Sequence, residues 1–549
     1  MSRADLDYIA GLLTMSHQTN ATSASKSTQT EMDNAIHKLE ECLSLLKLRR
    51  NNLSSVNVLP HEIMAIIFLG VHTRKSLRWL AVTQVCRSWR QIALDCPGLW
   101  ASVDPLSSHQ EMLHTFLERA KTAPLTVDVC MTKANNHEAI TAFLRANLSR
   151  IRTLSLKDEV PYAPRTVLDL VSVFSTPAPL LEELVLLFRW KGVRSTPDFT
   201  LGRNCPNLKT LVAVCQPLKW LPESIRGLRE LRIERLDEMN EPRVSEFISI
   251  LEACPELEIL CMTHAGPILD AQEVDVSKRL VNLRFLHKFH LTAFNESCVA
   301  LLSRITIPDV ARWVINCEGD PSDAFLDVIP RSHPITAVNG ITLKISSDDT
   351  NLSFTSFARL VGEKTKTVHT KMTLYPNEGL HSKLCTWPSE NSFWNTTTRL
   401  ELRLGPSLNF SQSHWSLLFG AFPGVIFLGI YSKRRNLIKD MPLLRALKPL
   451  NQDGAPIPCP SISVLMLDGF SCHPVTGTNR HGPDERSKGN EEIPKGIRDL
   501  NELLQKRCVQ NARLRKLVLR NCAGIKRQFL DGWTHWIDEL DSSRMETKS

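Results

Sequence analysis

The sequence predicts an α/β chain, in which a short all-α unit of three helices precedes a long array of parallel strands stacked into a solenoid. Residues 59–100 crowd helix signals and bulky apolar side chains together, and beyond Trp100 one short apolar strand pattern returns many times. At 549 residues the chain can hold several domains or one elongated repeat array, and either can bury a sizeable core. The expected divisions are a disordered tail at 1–32, an amphipathic helix at 33–55, the helical unit at 56–104, the repeat array at 105–535 and a charged tail at 536–549.

The tail is expected because Ser16–Glu31 is rich in Ser, Thr, Asn and Gln and holds too little apolar surface to offset the entropy of ordering. From Asp33 the pattern changes. Ile36, Leu39, Leu43 and Leu46 stand three and four residues apart, with Lys38, Glu40, Glu41 and Lys47 among them, which reads as one amphipathic helix. Two uses are open for it, a self-associating coiled coil or a helix docked on the chain's own folded part. Its shortness favours docking.

From Leu59 to Trp100 the chain is denser in signals than anywhere else. Pro60 sits where a first helical residue tolerates a missing N–H, and Glu62 falls in the first turn, where the helix dipole favours an acid. Ile63, Ile66, Ile67 and Phe68 then recur at helical spacing. After Leu77–Leu80 a second set follows, made of Val85, Cys86, Trp89, Ile92 and Ala93. Three short helices cannot hide this much apolar surface, so a partner is expected to cover some of it.

These residues resemble an F-box. Its Leu-Pro-x-Glu opening is matched by Leu59-Pro60-His61-Glu62, its Val-Cys-x-x-Trp-x-x-Ile-Ala helix by Val85, Cys86, Trp89, Ile92 and Ala93, and its Leu-Trp close by Leu99-Trp100. The matched stretch is under a tenth of the chain, so what it implies is an expectation. In F-box proteins this unit docks on a Skp-type adaptor of an SCF-type cullin–RING ubiquitin ligase. The resemblance places Leu59, Pro60, Ile63, Ile66, Val85, Cys86 and Trp89 at the adaptor, and leaves Ile92, Ala93 and Trp100 to tie the unit to itself and to the first repeat.

Beyond Trp100 the element Leu-x-x-Leu-x-Leu is the strand signature of leucine-rich repeats. It appears as Ile151/Leu154/Leu156, Leu181/Leu184/Leu186, Leu208/Leu211, Leu228/Leu231/Ile233, Leu257/Leu260/Met262 and Leu283/Leu286. Later copies are Val338/Ile341/Leu343, Leu400/Leu402/Leu404, Val425/Leu428/Ile430, Ile462/Leu465/Leu467 and Leu514/Leu517/Leu519. Most neighbouring copies lie about 26 to 30 residues apart, and degenerate copies at Val310–Ile315 and Met372–Leu374 fill the two double-length gaps. Stacked in parallel on a concave face, such strands bury a continuous apolar column, and the segments between them return along the convex side. Val167–Phe174, Val244–Leu251 and Ile497–Cys508 have helical spacing and are expected on that return path. The polar, Gly- and Pro-rich stretch at 471–496 interrupts the period as a loop insertion.

Cys205-Pro206, Cys254-Pro255 and Cys459-Pro460 precede their strands in the same way, Pro ending what comes before. Their repetition points to packing rather than to chemistry. The other 12 of the 15 cysteines form no zinc-type spacing and no disulfide framework, which suits a reducing compartment. No nucleophile elbow, P-loop, dinucleotide fingerprint or zinc-protease motif occurs, and His287 and His290, three apart with no further ligand suggested nearby, are expected as surface residues rather than as a metal pair. Trp313, Trp387, Trp394 and Trp415 are expected in the core between layers. No catalytic residue, cofactor or metal is assigned, although an enzyme hidden in the least repeat-like stretch, Gly319–Ser392, is a further possibility.

The net charge of +8, from 66 Lys and Arg against 58 Asp and Glu, is dispersed and forms no stripe for nucleic acid. Neither a secretory leader nor an apolar run of membrane-spanning length occurs, so a protein of the cytoplasm or nucleus is expected. Together these features resemble the F-box/leucine-rich-repeat proteins, in particular the fungal F-box-like type. The resemblance implies a non-catalytic subunit that holds a protein substrate on its repeats. The alternative is an interaction scaffold with no link to ubiquitin.

Overall fold

The structure is a computed structural model that describes residues 7, 10–11, 26–72, 77–106, 110–131, 137–158, 170, 172–188, 201–215, 221–223, 225–236, 241–269, 280–308, 311–319, 322–330, 341–347, 352–358, 367–374, 383, 385–386, 397–404, 410–432, 441–449, 457–470 and 493–544. The tail expectation for residues 12–25 and the loop expectation for 471–492 lie outside the described residues, as do Trp387 and Trp394. The chain divides into two compact units, Met1–Cys130 with Ala146–Leu154, and Met131–Arg145 with Ser155–Ser549.

The first unit opens with a helix, Lys26–Asn52. It begins seven residues before the expected Asp33, because nucleation is the costly step and an existing helix extends into polar residues at little further expense. A 3-10 turn at Ser55–Val58 leads to the helix His61–Val71. Pro60 is its N-cap rather than its first residue, extended at ψ 149°, and its carbonyl accepts the Met64 N–H at 3.1 Å. Next come a 3-10 turn at Leu77–Ala81 running into Val82–Val85, then Arg87–Leu94 and Pro97–Trp100. The three expected helices are therefore cut into shorter pieces, and the reason lies at Cys86. Its extended backbone, φ −158° and ψ 170°, breaks the helical path, and its Sγ accepts the Trp89 N–H to cap the next helix.

Three aromatic rings hold this unit together. Trp79 stands 5.1 Å from Trp100 and 6.0 Å from Phe116, and Trp100 lies 5.2 Å from Phe116, all edge to face. The Trp100 indole donates to the Ala93 carbonyl at 2.8 Å, so its one polar group is satisfied inside the core. Strand β1 (Ser102–Val103), the helix Gln110–Ala120 and strand β2 (Leu125–Met131) follow, with Ser102 opposite Thr126 in parallel.

The division between the units falls within β3 (Ile151–Asp158). In the second unit β4 (Glu183–Leu187), β5 (Thr210–Val214), β6 (Glu230–Glu234) and β7 (Ile259–Thr263) pair in parallel, in chain order. A small parallel pair, β8 (Val281–Asn282) and β10 (Ile305–Thr306), stands apart. The main sheet continues through β9 (Lys288–Phe294) to β11 (Arg312–Glu318). Register aligns the repeated apolar positions: Leu184, Leu211, Leu231, Leu260, Phe289 and Trp313 form one ladder, and Leu186, Ala213, Ile233, Met262, Leu291 and Ile315 the next. Every one of these side chains is buried, each large one contributing about 1.5–3 kcal/mol.

The expectation of strands that are parallel throughout fails in the middle of the sheet. There β12 (Ile341–Ser347), β13 (Leu352–Ala358) and β14 (Thr367–Leu374) form an antiparallel meander. The link between Ser347 and Leu352 is too short for a parallel crossover, which takes a dozen residues or more, so the chain can only turn back. The meander enters the sheet in reverse, β14 beside β11 and β12 beside β15 (Thr397–Leu404). The apolar ladder nevertheless passes through it, with Met372 opposite both Ile315 and Phe354. Parallel pairing then resumes through β16 (Phe427–Ser432), β17 (Val464–Asp468), β18 (Leu514–Arg520) and β19 (Ile537–Arg544). The last strand occupies most of the segment expected as a charged tail, because Leu540 falls opposite Leu517 and continues the ladder.

Helices between the strands cover the ladders. Val244–Glu252 and Lys495–Val509 match their expected positions closely, whereas the described part of Val167–Phe174 ends in only a 3-10 turn, Val173–Ser175. Several strands end in a left-handed residue: Cys215, Arg235 and His264 after β5, β6 and β7, at φ 55°, 55° and 49°, and Gly469 after β17 at φ 81°. Each gives its N–H to the neighbouring strand, as Arg235 does to Thr263 at 2.8 Å and Gly469 to Arg520 at 3.0 Å. The turn thus leaves the sheet without orphaning a donor.

The three Cys-Pro corners share one turn hydrogen bond, although Cys459 alone of the three is left-handed, at φ 44°. The carbonyls of Cys205, Cys254 and Cys459 accept the N–H three residues on, at 3.1, 3.2 and 3.2 Å, and all three side chains are buried. Burial pushes the Cys205 thiol up to about 12, and likewise that of Cys459 despite the guanidinium of Arg507 nearby. Such thiols are packing groups.

Candidate functional site

The helix His61–Val71 is apolar on more than one face. Met64 and Phe68, one turn apart, point into the first unit, and Phe68 meets the Trp89 ring at 5.1 Å. Ile63, Ile66, Ile67, Leu69 and Val71 are exposed, Ile66 to 63%. Just before the helix Val58, Leu59 and Pro60 are exposed, and beyond it so are Leu77 and Val85, the last to 58%. Large apolar side chains gathered in so small a unit make a surface that gains about 1.5–3 kcal/mol per side chain fully covered.

The seven residues expected at an adaptor separate into two groups. Leu59, Pro60, Ile63, Ile66 and Val85 are exposed and available to a partner. Cys86 and Trp89 are half-buried and have internal work as well: Cys86 caps the helix Arg87–Leu94, and the Trp89 indole donates to Asn57 Oδ1 at 2.6 Å. Asn57 in turn donates its Nδ2 to the Asn51 carbonyl, also at 2.6 Å, which links the end of the first helix to Trp89. Asn57, Val58, Ile67, Leu69, Val71 and Leu77 went unread as site residues. The signal was present in Ile63–Leu69, which carries more apolar side chains than one buried helical face can use.

A second patch lies on the sheet, on the face opposite the buried Leu400 and Leu402. The Arg399 guanidinium sits 3.6 Å above the Phe427 ring, and that of Arg403 lies 5.5 Å from the Tyr431 ring. Gly429 between the two rings has no side chain, and a Cβ there would meet Phe427 and Tyr431 at 3.0 Å each. Arg399 Nε also pairs with Glu401 Oε1 at 2.9 Å. Burial, ahead of the charge of Glu401, pushes the Tyr431 hydroxyl above its usual value. The patch presents two cations and two rings to one side of the sheet, a combination suited to holding a polypeptide.

Of the histidine pair, His287 is exposed and His290 Nε2 lies 3.4 Å from Thr292 Oγ1. Trp313 and Trp415 are buried. Among the described residues no helix is long and apolar enough to cross a membrane.

Comparison with solved structures finds similarity to the yeast Rad7 and Elc1 complex, at 12% identity over 82% of this chain and 94% of that one. The TM-score of 0.28 is too low for that likeness to carry weight. No curated protein matches the sequence. A family model described as F-box-like matches residues 56–105, the stretch that holds the exposed apolar surface. Residues 56–105 of this chain are an F-box-like domain.

Proposed function

We propose that this protein is a non-catalytic substrate-recognition subunit of an SCF-type cullin–RING ubiquitin ligase, its F-box-like domain binding a Skp-type adaptor. The observation that carries this reading is the exposed apolar surface of Leu59, Ile63, Ile66 and Val85 inside the F-box-like match. Five further apolar side chains around it, from Val58 to Leu77, enlarge the area that a partner can cover.

In this reading the parallel strands on either side of the β12–β14 meander are leucine-rich repeats stacked as a solenoid, with the helices and loops on its convex side and the substrate on the open strand face. Arg399, Arg403, Phe427 and Tyr431 are then candidate substrate contacts. The chain itself makes no bond. It raises the local concentration of a substrate lysine near a charged ubiquitin carrier, as tethering does for any second encounter. Cytoplasm and nucleus are the compartments in which such ligases work.

Co-purification from the source cell tests the reading. Tagged full-length chain recovers a Skp-type adaptor and a cullin, while the Leu59→Ala/Pro60→Ala variant, folded, recovers neither. Recovery of other proteins with no adaptor among them would reduce the protein to an interaction scaffold.

A further inference from the structure

The helix Lys26–Asn52 spans about 40 Å. Ile36, Leu39, Leu43 and Leu46 lie along one side of it, and all four are exposed, Ile36 to 54%, Leu43 to 51% and Leu46 to 64%. They are not docked on the chain's own folded part, which was the favoured expectation from sequence. Leu45 is exposed as well but lies off that line.

Two features of the stripe say what covers it. Its spacing of three, four and three residues reads the same in both directions, so a second, antiparallel copy sets Ile36 against Leu46 and Leu39 against Leu43. Charge is segregated about the same midpoint. Glu31, Asp33, Glu40 and Glu41 dominate the half before Cys42, relieved by Lys26 and Lys38, whereas Lys47, Arg49 and Arg50 occupy the half after it with no acid. An antiparallel copy brings acidic half to basic half at both ends; a parallel copy sets like against like along the whole seam and stacks Arg50 on Arg50.

We propose that this helix is a homodimerisation element, pairing antiparallel with the same helix of a second copy of the chain. The pairing is independent of the F-box-like surface. Arg87 Nη2 donates to Ser44 Oγ at 3.3 Å, off the stripe, so the contact between helix and F-box-like domain leaves the apolar line free. Because the complementary charges are exposed, association weakens as salt rises.

Sedimentation of the full chain from about 1 to about 100 µM tests it. The mass is expected to rise from 62.0 kDa towards that of a dimer. Leu43→Asp stays monomeric. The Lys47→Glu/Arg49→Glu/Arg50→Glu variant keeps the stripe and uses good helix formers, and it weakens association at least ~10-fold at low salt. Orientation is read by oxidising a mixture of Ile36→Cys and Leu46→Cys chains, each with Cys42→Ser, and mapping the disulfides by mass spectrometry. Links between positions 36 and 46 support the proposal; links of 36 to 36 overturn it. A chain that stays monomeric throughout the range also overturns it, as does dimerisation undiminished in Leu43→Asp. Shielding of the stripe only when a Skp-type adaptor is added would give this face to the adaptor and end the proposal.

Discussion

The indole Nε1 of Trp89 donates a 2.6 Å hydrogen bond to Oδ1 of Asn57, and the same ring packs 5.1 Å from Phe68. A residue that family resemblance assigns to a partner is thus also part of the fold. Partner binding and stability should therefore separate along the surface. Trp89→Ala is expected to destabilise the first unit by about 3 kcal/mol, while Ile66→Asp, at an exposed position, changes stability by less than about 0.5 kcal/mol. Urea denaturation of the two variants checks this. Equal destabilisation would show that Ile66 belongs to the core.

The left-handed strand ends make a prediction with two signs. Gly469 has φ 81°, and a Cβ there would lie 2.5 Å from the Ser432 carbonyl oxygen, so Gly469→Ala should cost about 2 kcal/mol or more. Arg235 adopts φ 55° with a side chain already in place, so Arg235→Gly is expected to be neutral or to stabilise by up to about 1 kcal/mol. Thermal melting of both variants checks the pair. A stabilised Gly469→Ala would contradict the turn geometry.

Arg507 is a buried cation whose three nitrogens serve three carbonyls, donating to Ala512 at 3.2 Å, Pro458 at 3.0 Å and Cys459 at 3.0 Å. It fastens the helix Lys495–Val509 to the corner before β17. Arg507→Met keeps much of the volume but removes a donor from each of those carbonyls, leaving that of Cys459 with only the Ile462 N–H, for a loss of about 3 kcal/mol, and Arg507→Lys should recover little because an ammonium lacks the planar fork. Hydrogen exchange should then rise around residues 457–463 before it rises elsewhere.

The buried corner thiols give a dependence on alkali. Cys205 and Cys459 titrate near 12 in the folded chain, against 9.0 for an ordinary thiol. The folded state therefore holds the proton more tightly, and the stability linked to each thiol is intact below pH 9 and is lost as pH rises towards 12. The slope is about 1.4 kcal/mol per pH unit for each group. Cys459→Ala should flatten the alkaline fall in stability relative to the parent chain. At pH 8 both thiols should resist alkylation in the native protein and react in urea, whereas the exposed Cys130 reacts in both.

How much of this was legible in the sequence depends on how local the determinant is. The alternation in Leu184/Leu186 or Leu465/Leu467 is a property of a few residues, and those stretches are strands. Helix spacing located Val244–Glu252 for the same reason. Pairing partners are not local. Nothing in Ile341–Leu343 announces that its neighbours are β13 and β15 and that the meander runs backwards through the sheet; that follows from how short the link to Leu352 is. Register hid β19 in a segment that reads as charged, because only Leu540 on that strand meets the Leu517 position of the ladder. In the F-box-like domain, spacing identified apolar residues but not which of them face out. Met64 and Phe68 turned inward and Ile63 and Ile66 outward, and the ring that Phe68 meets, Trp89, comes from another segment.

The central claim is that the apolar surface around Ile66 binds a Skp-type adaptor. Titration calorimetry of purified full-length chain against purified adaptor measures it directly. One-to-one binding with a negative heat-capacity change, weakened at least ~100-fold by Ile66→Asp, is the result expected. A folded parent chain that takes up no adaptor, or an Ile66→Asp chain that binds as tightly as the parent, would contradict it.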